Sequence, residues 1–420
     1  MFDLDHWREI YNALAGNKLR TALTAFGVFW GIFMLMIMVG AGTGLQNGVT
    51  QDFSDGATNS FYVWSQRTTL PYRGLPAGRS FELENQDIEA IKQHVPEVEV
   101  VAPRNQLGGY RGGNNVTHGT RSGAFSVMGD YPEIRVIQSV NIDSGRFLNQ
   151  LDLEDRRKVA VIGSRVVEVL YEEGEEPVGD SVRINGVYFK VIGTFTTRQS
   201  GDDGDESAST IYVPFTTFQQ AFNYGNSVGW FAVTSAPDVP ASEAEAEVLA
   251  LLRKRHRVRP DDERGLGHYN TEVEYNKVQG LFTGIRLLIW IVGIGTLTAG
   301  VIGVSNIMLV IVRERTNEIG IRRAVGARPL SIMSQIILEA MMLTSLAGYV
   351  GLVAGVFLME FISSMLTKMG ASTDVFLNPN VSLESALQAL VILVFCGTLA
   401  GLIPAHRAIR ISPVQALRAD

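Results

Sequence analysis

Cysteine is nearly absent from this sequence: the single thiol, Cys396, lies within an apolar run. A disulfide framework or a cysteine-based zinc site needs several cysteines, so both are excluded. The six histidines are scattered along the chain instead of being paired at the spacing of metal ligands. We therefore expect no metal to be bound by this chain.

Net positive charge and a phosphate-binding loop are also absent. The formal net charge is -7 at pH 7, whereas a nucleic-acid-binding protein carries a basic patch that neutralises phosphates. An ATPase needs a glycine-rich loop that ends in Gly-Lys-Ser or Gly-Lys-Thr, and no such string occurs in the 420 residues. The sequence therefore predicts a non-catalytic chain that binds neither a cofactor nor nucleic acid.

Hydrophobic residues, in contrast, are abundant and concentrated. They make up 46% of the chain and charged residues only 19%, below the roughly 25% charge of average soluble proteins. A membrane-spanning helix needs about 20 predominantly apolar residues. The segments that meet this requirement are 21–42, 283–312, 332–363 and 385–404. We predict four transmembrane helices, the last of them closed by Pro404, which cannot donate a backbone hydrogen bond.

The longest connection, residues 43–282, changes to short strands, turns and amphipathic helices. It predicts one large α+β domain with a stalk helix at its end, whereas the connection at 364–384 is short. Basic residues cluster before the first span, between the second and third, and after the fourth. Because short basic loops stay in the cytoplasm, we expect an amphipathic helix at 1–20, the loop at 313–331 and the tail at 405–420 on that side.

Local signals predict several elements of the large domain. Asn185-Gly186 suits the positive φ angles of a two-residue type I′ turn, so it predicts a hairpin with arms at 181–184 and 187–192. The glycine-rich run at 108–123 predicts an exposed loop, and the acidic run at 200–209 a mobile loop. The basic run at 253–259 predicts a solvated helix end.

Glu339 is a single acid inside the third predicted span. An ionisable group within a membrane is costly and is often functional, so one hypothesis makes it a proton site. The favoured hypothesis places it near the cytoplasmic end, where it reaches water or an arginine such as Arg328 or Arg407.

Small residues recur at four-residue spacing in all four spans. Such pairs let helix backbones approach closely, so they favour tight packing among spans or between subunits over a wide aqueous pore. The predicted packing residues are Gly27, Gly31, Gly295, Ala299, Gly303, Gly351, Gly355, Gly397 and Gly401.

Residues 312–328 read VRERTNEIGIRRAVGAR and closely resemble the cytoplasmic signature of the MacB and FtsX-like permease family of ABC transporters. Residues 17–21, 145–195 and 404–418 also agree with the family, in the family order. The resemblance implies a bacterial inner-membrane protein with four spans and a periplasmic domain of porter-like and sabre-like parts. It also implies a dimer, with an identical or paralogous second permease subunit.

In such transporters, two ATPase domains bind the loop between the second and third spans, and ATP-driven closure moves the periplasmic domain, a process called mechanotransmission. Only a short segment precedes the first span here, so we expect ATP and Mg²⁺ to be bound by a separate ATPase subunit. The resemblance places ATPase coupling at Glu314, Arg315, Glu318, Ile319, Gly320, Arg322 and Arg323.

The family resemblance leaves the driven process open. We expect export of a small molecule or peptide, aided by a periplasmic adaptor and an outer-membrane channel. Signalling to a cell-wall hydrolase and release of lipoproteins from the inner membrane, which requires a lipid-accepting surface, use the same architecture. An anchored binding domain without ATP coupling is a further alternative.

Overall fold

The computed structural model describes residues 18–54, 56–109, 113–138, 140–197, 201–369 and 376–410. Two compact units divide the chain: residues 50–279 form one, called here the large domain, and the sequence on either side forms the other, called the helix bundle. Most of the predicted N-terminal amphipathic helix and most of the predicted C-terminal tail lie outside the described residues.

The helices are α1 (Lys18–Ser54), α2 (Asn85–His94), α3 (Ile134–Ile137), α4 (Gln150–Glu154), α5 (Ser164–Leu170), α6 (Gly201–Ala208), α7 (Phe215–Ala221), α8 (Ala241–Arg255), α9 (Thr271–Glu314), α10 (Thr316–Ala324), α11 (Pro329–Met369) and α12 (Leu383–Ile409). The strands are β1 (Ser60–Ser65), β2 (Leu83–Glu84), β3 (Val98–Gln106), β4 (Asn114–His118), β5 (Arg121–Asp130), β6 (Asn141–Gly145), β7 (Val159–Gly163), β8 (Ser181–Ile184), β9 (Val187–Thr196), β10 (Thr210–Pro214), β11 (Ser227–Val228), β12 (Trp230–Ser235) and β13 (Leu266–Asn270).

Four long helices, α1, α9, α11 and α12, contain the four predicted spans, and each is long and apolar enough to cross a membrane. Together with the large α+β domain they confirm the predicted fold class. Helix α9 runs for 44 residues and continues without a break from the predicted stalk into the second span. Each helix extends beyond its predicted span at both ends.

The prediction that Pro404 ends the fourth transmembrane helix is wrong. Helix α12 continues through Pro404 to Ile409. Proline removes one hydrogen bond and its ring crowds the carbonyl one turn earlier. Here that turn contains Ala400 and Gly401, and Pro404 itself is buried against the bundle. Small side chains and packing by neighbouring helices allow a proline inside a membrane helix.

Eleven strands of the large domain join in one sheet, ten of them in a continuous order and β6 as a branch that pairs with β9. Strands β5, β10, β7, β9, β8 and β4 close into a ring, because β10 pairs with both β5 and β7. Strand β3 pairs with β5 at its end and with β12 along most of its length, and β12, β1 and β13 complete an antiparallel sheet. The domain therefore has a ring part and a sheet part that share β3.

Each part of the domain has its own apolar core. Helices α2 and α8 bury Ile88, Ile91, Val248 and Leu252 in the core of the sheet part. Strand residues that alternate inward, together with Phe218 of α7, fill the core of the ring part. Burial of these side chains stabilises the domain by about 1.5–3 kcal/mol for each large aliphatic or aromatic residue.

The predicted hairpin at Asn185-Gly186 is confirmed, since β8 pairs with β9 across it and both turn residues have positive φ. The loop predicted at 108–123 is wrong over most of its length, because β4 and β5 pair there. Asn114 explains part of this: its side-chain amide donates to the carbonyl of Leu107 and fixes the start of β4.

The acidic run at 200–209 is also not a loop, because α6 occupies residues 201–208. The last turn of α6 is held from both sides: Thr210 Oγ1 donates to the carbonyl of Glu206, and the Ala208 carbonyl lies against Gly163, where a side chain would collide with it. Tertiary docking therefore overrides a composition that is typical of loops.

The basic run at 253–259 is a helix end, as predicted, but part of it is not merely solvated. Arg255 Nε lies 2.6 Å and His256 Nε2 2.8 Å from the carboxylate of Asp87, which is buried at the start of α2. Burial raises the pKa of Asp87, but the hydrogen bonds from His256, the Glu84 amide and Arg255 outweigh it, and the pKa lies below its usual value.

A lowered carboxyl pKa makes the folded state less stable in acid. The contribution of Asp87 is fully present above its unfolded pKa of about 3.9 and is lost as pH falls through the lower folded pKa. We expect Asp87→Asn to reduce the acid dependence of the unfolding free energy below about pH 4, measured by urea unfolding at several pH values. The exposed-site control Glu173→Gln should retain the wild-type dependence; equal curves for all three proteins would contradict this assignment.

Candidate functional site: the α10 region

Helix α10 is a short segment between two spans, and its ends are defined by the backbone. Arg315 interrupts the helix with φ -95° and ψ 13°, and Thr316 Oγ1 donates to the carbonyl of Arg313 at 2.7 Å. At the other end Gly326 has φ +100°, the left-handed conformation that ends many helices. The chain therefore turns sharply on both sides of α10.

The inner face of α10 is packed against the bundle. Ile319 is only 8% exposed and belongs to the same apolar core as Val312, Ile332 and Ile336. Gly320 beside it is also buried. These two residues anchor α10 to the spans.

Two arginines of α10 add polar tethers. Arg323 Nη1 donates to the carbonyl of Ile409 in α12 at 2.8 Å, and Arg322 Nη1 donates to Gln335 Oε1 in α11 at 3.1 Å. Hydrogen bonds from a charged donor are stronger than neutral ones. A force applied to α10 therefore reaches two spans directly.

The outer face of α10 carries exposed apolar side chains among charged ones. Ile321 is 51% and Val325 85% exposed, and Glu318 and Arg322 are exposed beside them. Positions 318, 321, 322 and 325 follow the i, i+3, i+4, i+7 spacing of one helix face. We call these four residues the docking face.

Ile319 and Gly320, which the family resemblance assigns to ATPase coupling, are both buried. They lie on the face of α10 that packs against the spans, and their coupling role stays a prediction. Val325, on the docking face, was missed. Its i+4 spacing from Ile321 was the signal that could have found it.

A cavity of about 380 Å³ lies beside α10, between it and the adjoining ends of α9 and α11, and its lining includes Met308, Arg315, Glu318, Arg322, Gln335 and Glu339. Glu339 is 2% exposed, and its Oε2 lies 3.5 Å from Arg315 Nη1. Among the described residues Glu339 Oε1 has no hydrogen-bond partner. The expectation that Glu339 reaches an arginine is therefore met, but by Arg315, at the break between α9 and α10, instead of Arg328 or Arg407.

The Arg315–Glu339 pair ties the helix break to α11. Removal of one partner of a buried ion pair leaves an uncompensated charge. We expect Arg315→Met to lower the apparent Tm by about 5 °C and the double variant Arg315→Met with Glu339→Gln to recover most of that loss. Thermal unfolding of the full chain in detergent measures both, and a double variant no better than the single one would show that the pair is not coupled.

Six of the nine predicted packing residues lie at close helix contacts. A Cβ on Gly351 would lie 2.6 Å from the Phe29 carbonyl oxygen, and one on Gly355 2.6 Å from Met36 Cβ, so α11 packs closely on α1. Gly401 brings α12 against Ile337 of α11. The contacting glycines are Gly27, Gly31, Gly351, Gly355, Gly397 and Gly401.

The remaining three, Gly295, Ala299 and Gly303, do not pack between spans of this chain. Cβ atoms built on Gly295 and Gly303 would meet nothing within 4 Å in the described chain, and Ala299 is exposed. The face of α9 that packs on α1 instead contains Leu297 and Gly300. The sequence located small residues in α9 but could not tell which of its faces is covered.

Among the described residues, one group of potential metal ligands lies close together in the large domain, and it contains one histidine and two acids. Side-chain atoms of His118, Glu175 and Asp180 lie within 4.8 Å of one another. His118 stacks on Tyr171, its Nδ1 lies 3.3 Å from the carbonyl of Ser181, and its Nε2 lies 3.2 Å from Glu175. These contacts account for the group as a hydrogen-bonded cluster at the surface.

Two family models match most of the chain. Residues 21–251 match the MacB-like periplasmic core domain, and residues 290–413 match the FtsX-like permease C-terminal domain. The second match contains α10 with its docking face, the Arg315–Glu339 pair and both arginine tethers.

Similar proteins span nearly the whole chain. It is 28% identical to the macrolide export ATP-binding/permease protein MacB of Bdellovibrio bacteriovorus, over 99% of this chain and 62% of that protein. It is 30% identical to the pyoverdine export ATP-binding/permease protein PvdT of Pseudomonas putida, over 96% of this chain and 58% of that protein. The chain thus spans about three fifths of the length of these relatives.

Among solved structures, the periplasmic region of MacB from Actinobacillus actinomycetemcomitans is similar to 55% of this chain and to 97% of that one, with 16% identity and a TM-score of 0.44. The two family models, which cover the large domain and the helix bundle in this order, identify the protein. The chain belongs to the MacB and FtsX-like permease family of ABC transporters.

Proposed function

We propose that this chain is the permease part of a transporter driven by an ATPase that lies outside these 420 residues and docks on α10. ATP and Mg²⁺ are bound by that ATPase, and its closure moves the spans and reshapes the large domain. The work done is export of a small molecule or peptide, without passage of the substrate through the helix bundle.

The observation that carries this proposal is the docking face. Exposed apolar residues flanked by both signs of charge are typical of the centre of an interface. The opposite face of α10 is anchored by Ile319 and by the hydrogen bond from Arg323 to the carbonyl of Ile409. A helix with one face packed against the spans and the other face available to a partner is suited to transmit a force from that partner to the spans.

The path from α10 to the large domain is continuous. After the break at Arg315, α9 runs unbroken from Glu314 back to Thr271, a length of roughly 66 Å at 1.5 Å per residue. Thr271 directly follows β13 of the large domain. One uninterrupted helix therefore connects the chain next to α10 with the chain next to β13.

Close helix packing supports mechanical transmission over conduction. Gly300 brings α9 against α1, Gly351 brings α11 against α1, and Gly397 brings α12 against α11. Helices in backbone contact move as a group, since packed interiors transmit strain. The described bundle is thus built to pass on movement.

The orientation and partners follow from the same proposal. Both termini and α10 face the cytoplasm of a bacterium, with the large domain in the periplasm. A second permease subunit, identical or paralogous, completes the assembly with two ATPase copies, and a periplasmic adaptor and outer-membrane channel extend it. The relatives named for macrolide and pyoverdine export support export as the process.

Affinity purification of the tagged chain in mild detergent, followed by an ATPase assay and mass spectrometry, tests the proposal. We expect a vanadate-sensitive ATPase to co-purify, together with an adaptor. Recovery of a cell-wall hydrolase or a lipid-modified client in place of the adaptor would redirect the function to signalling or lipoprotein release. Recovery of no ATPase would contradict the proposal and favour an anchored binding protein.

A further inference from the structure

A second cavity lies at the end of the helix bundle where α1 leaves for the large domain and α9 returns from it. It has a volume of about 450 Å³, and α1, α9 and the start of α12 line it. The polar side chains that line it include Gln46, Arg286, Glu384, Ser385 and Gln388. Polar and apolar side chains therefore meet in this cavity.

The lining of the cavity includes one cation and one anion, both of them exposed side chains. Arg286 donates from Nη2 to Gln46 Oε1 at 3.0 Å, and Glu384 accepts from Gln388 Nε2 at 3.2 Å. In the part of the chain that the structure describes, neither charge is paired with an opposite charge within 4 Å. Each of the two is therefore hydrogen-bonded to a neutral amide and has room beside it for an oppositely charged group.

An apolar groove adjoins the cavity. It has a volume of about 500 Å³, and Leu387, Val391 and Ile392 of α12 and Trp290 of α9 line it. Trp290, Glu384 and Gln388 border both spaces. Tryptophan is enriched where a membrane's hydrocarbon meets its headgroups, so the polar cavity lies at headgroup level and the groove at the level of the acyl chains.

We propose that this cavity and groove bind one phospholipid with a zwitterionic headgroup, namely phosphatidylethanolamine from the surrounding leaflet. The guanidinium of Arg286 takes the phosphate, since arginine matches the geometry of phosphate oxygens. The carboxylate of Glu384 takes the primary ammonium. One acyl chain lies along Trp290 and Val391 in the groove.

The charge pair selects among lipids. A purely anionic headgroup satisfies Arg286 but leaves Glu384 unpaired and repels it, whereas a phosphate joined to an ammonium satisfies both. The segment from Leu377 to Ser382 lies beside the cavity, because the Leu377 amide donates to the carbonyl of Gly44 at 3.0 Å.

Native mass spectrometry of the delipidated full chain, titrated with phosphatidylethanolamine, phosphatidylglycerol and chain-free glycerophosphoethanolamine, tests this site. We expect one tightly bound phosphatidylethanolamine per chain and weaker binding of the other two. Arg286→Gln should weaken phosphatidylethanolamine binding about tenfold, the loss of a charge-assisted hydrogen bond, and Arg286→Lys should restore part of it. Glu384→Gln should abolish the preference over phosphatidylglycerol.

The matched control is Lys368→Gln, which removes an exposed cation at the end of α11 without touching the cavity, and it should bind as the wild type does. Equal binding of both phospholipids, unchanged by Arg286→Gln and Glu384→Gln, would overturn the proposal and leave unspecific boundary lipid. Chain-free headgroup binding as tightly as the intact lipid would exclude the groove. The assay contains no ATPase, so its outcome is independent of the proposed transport function.

Discussion

The double variant Ile321→Asp with Val325→Asp is expected to separate the chain from its ATPase. Both side chains are exposed on the docking face, so the unbound chain loses little stability. In the complex each carboxylate would be buried against an apolar surface. Loss of two buried aliphatic contacts costs roughly 3 kcal/mol or more, about a hundredfold in affinity. Co-purified ATPase activity and the amount of ATPase by mass spectrometry measure the effect.

The matched control for that variant is Val136→Asp with Leu151→Asp, which makes the same chemical change at exposed positions of the large domain. This control should keep the ATPase at the wild-type level. A docking-face variant that still recovers the ATPase at full level would move the docking site away from α10. Loss of the ATPase in both variants would indicate general damage to the chain.

Asp130→Ala is expected to be the most destabilising single change in the large domain. Asp130 is fully buried and Arg104 4% exposed, and two hydrogen bonds of 2.7 and 3.1 Å join them. Removal of the carboxylate leaves the guanidinium buried without its partner, which costs about 3–5 kcal/mol. For a domain of this size that lowers the Tm by about 10 °C, measured by thermal unfolding in detergent.

The control for this pair is the double variant Arg104→Met with Asp130→Leu. Replacing both charges by apolar groups removes the unpaired charge, so the double variant should be more stable than Asp130→Ala alone. Arg104 also lies 5.6 Å from the ring centroid of Trp230, a contact that methionine partly keeps. A double variant as unstable as the single one would show that packing, and not charge, dominates at this site.

Sequence patterns predicted the elements whose causes are local. Four long apolar runs can only be buried in a membrane or a large core, and Asn185-Gly186 supplies its own turn geometry. The loops predicted for the acidic run at 200–209 and the glycine-rich run at 108–123 were wrong, because contacts with distant residues determine the structure there. The contact at Gly163 holds α6, and pairing with β5 forms β4. Composition cannot show such partners.

The sequence predicted where the candidate site lies in the chain, but not which face of α10 is exposed. The family signature located residues 312–328, yet the burial of Ile319 and the exposure of Val325 depend on how α10 turns at Arg315. The sequence also could not identify the partner of Glu339, because five arginines lie in the connection at 313–331 and chain distance does not show which of them folds back on α11. Arg315 reaches it only because the chain breaks there and folds back on α11.

The central claim is that ATP binding outside this chain moves the large domain through α10. Tyr188 of the large domain is 63% exposed. A spin label attached to the variant Tyr188→Cys, made together with Cys396→Ser, reports the distance between two copies of the chain. We expect vanadate trapping of the complex to shift this distance distribution, and the Ile321→Asp with Val325→Asp variant to abolish the shift. An unchanged distribution in a complex that hydrolyses ATP would contradict the account.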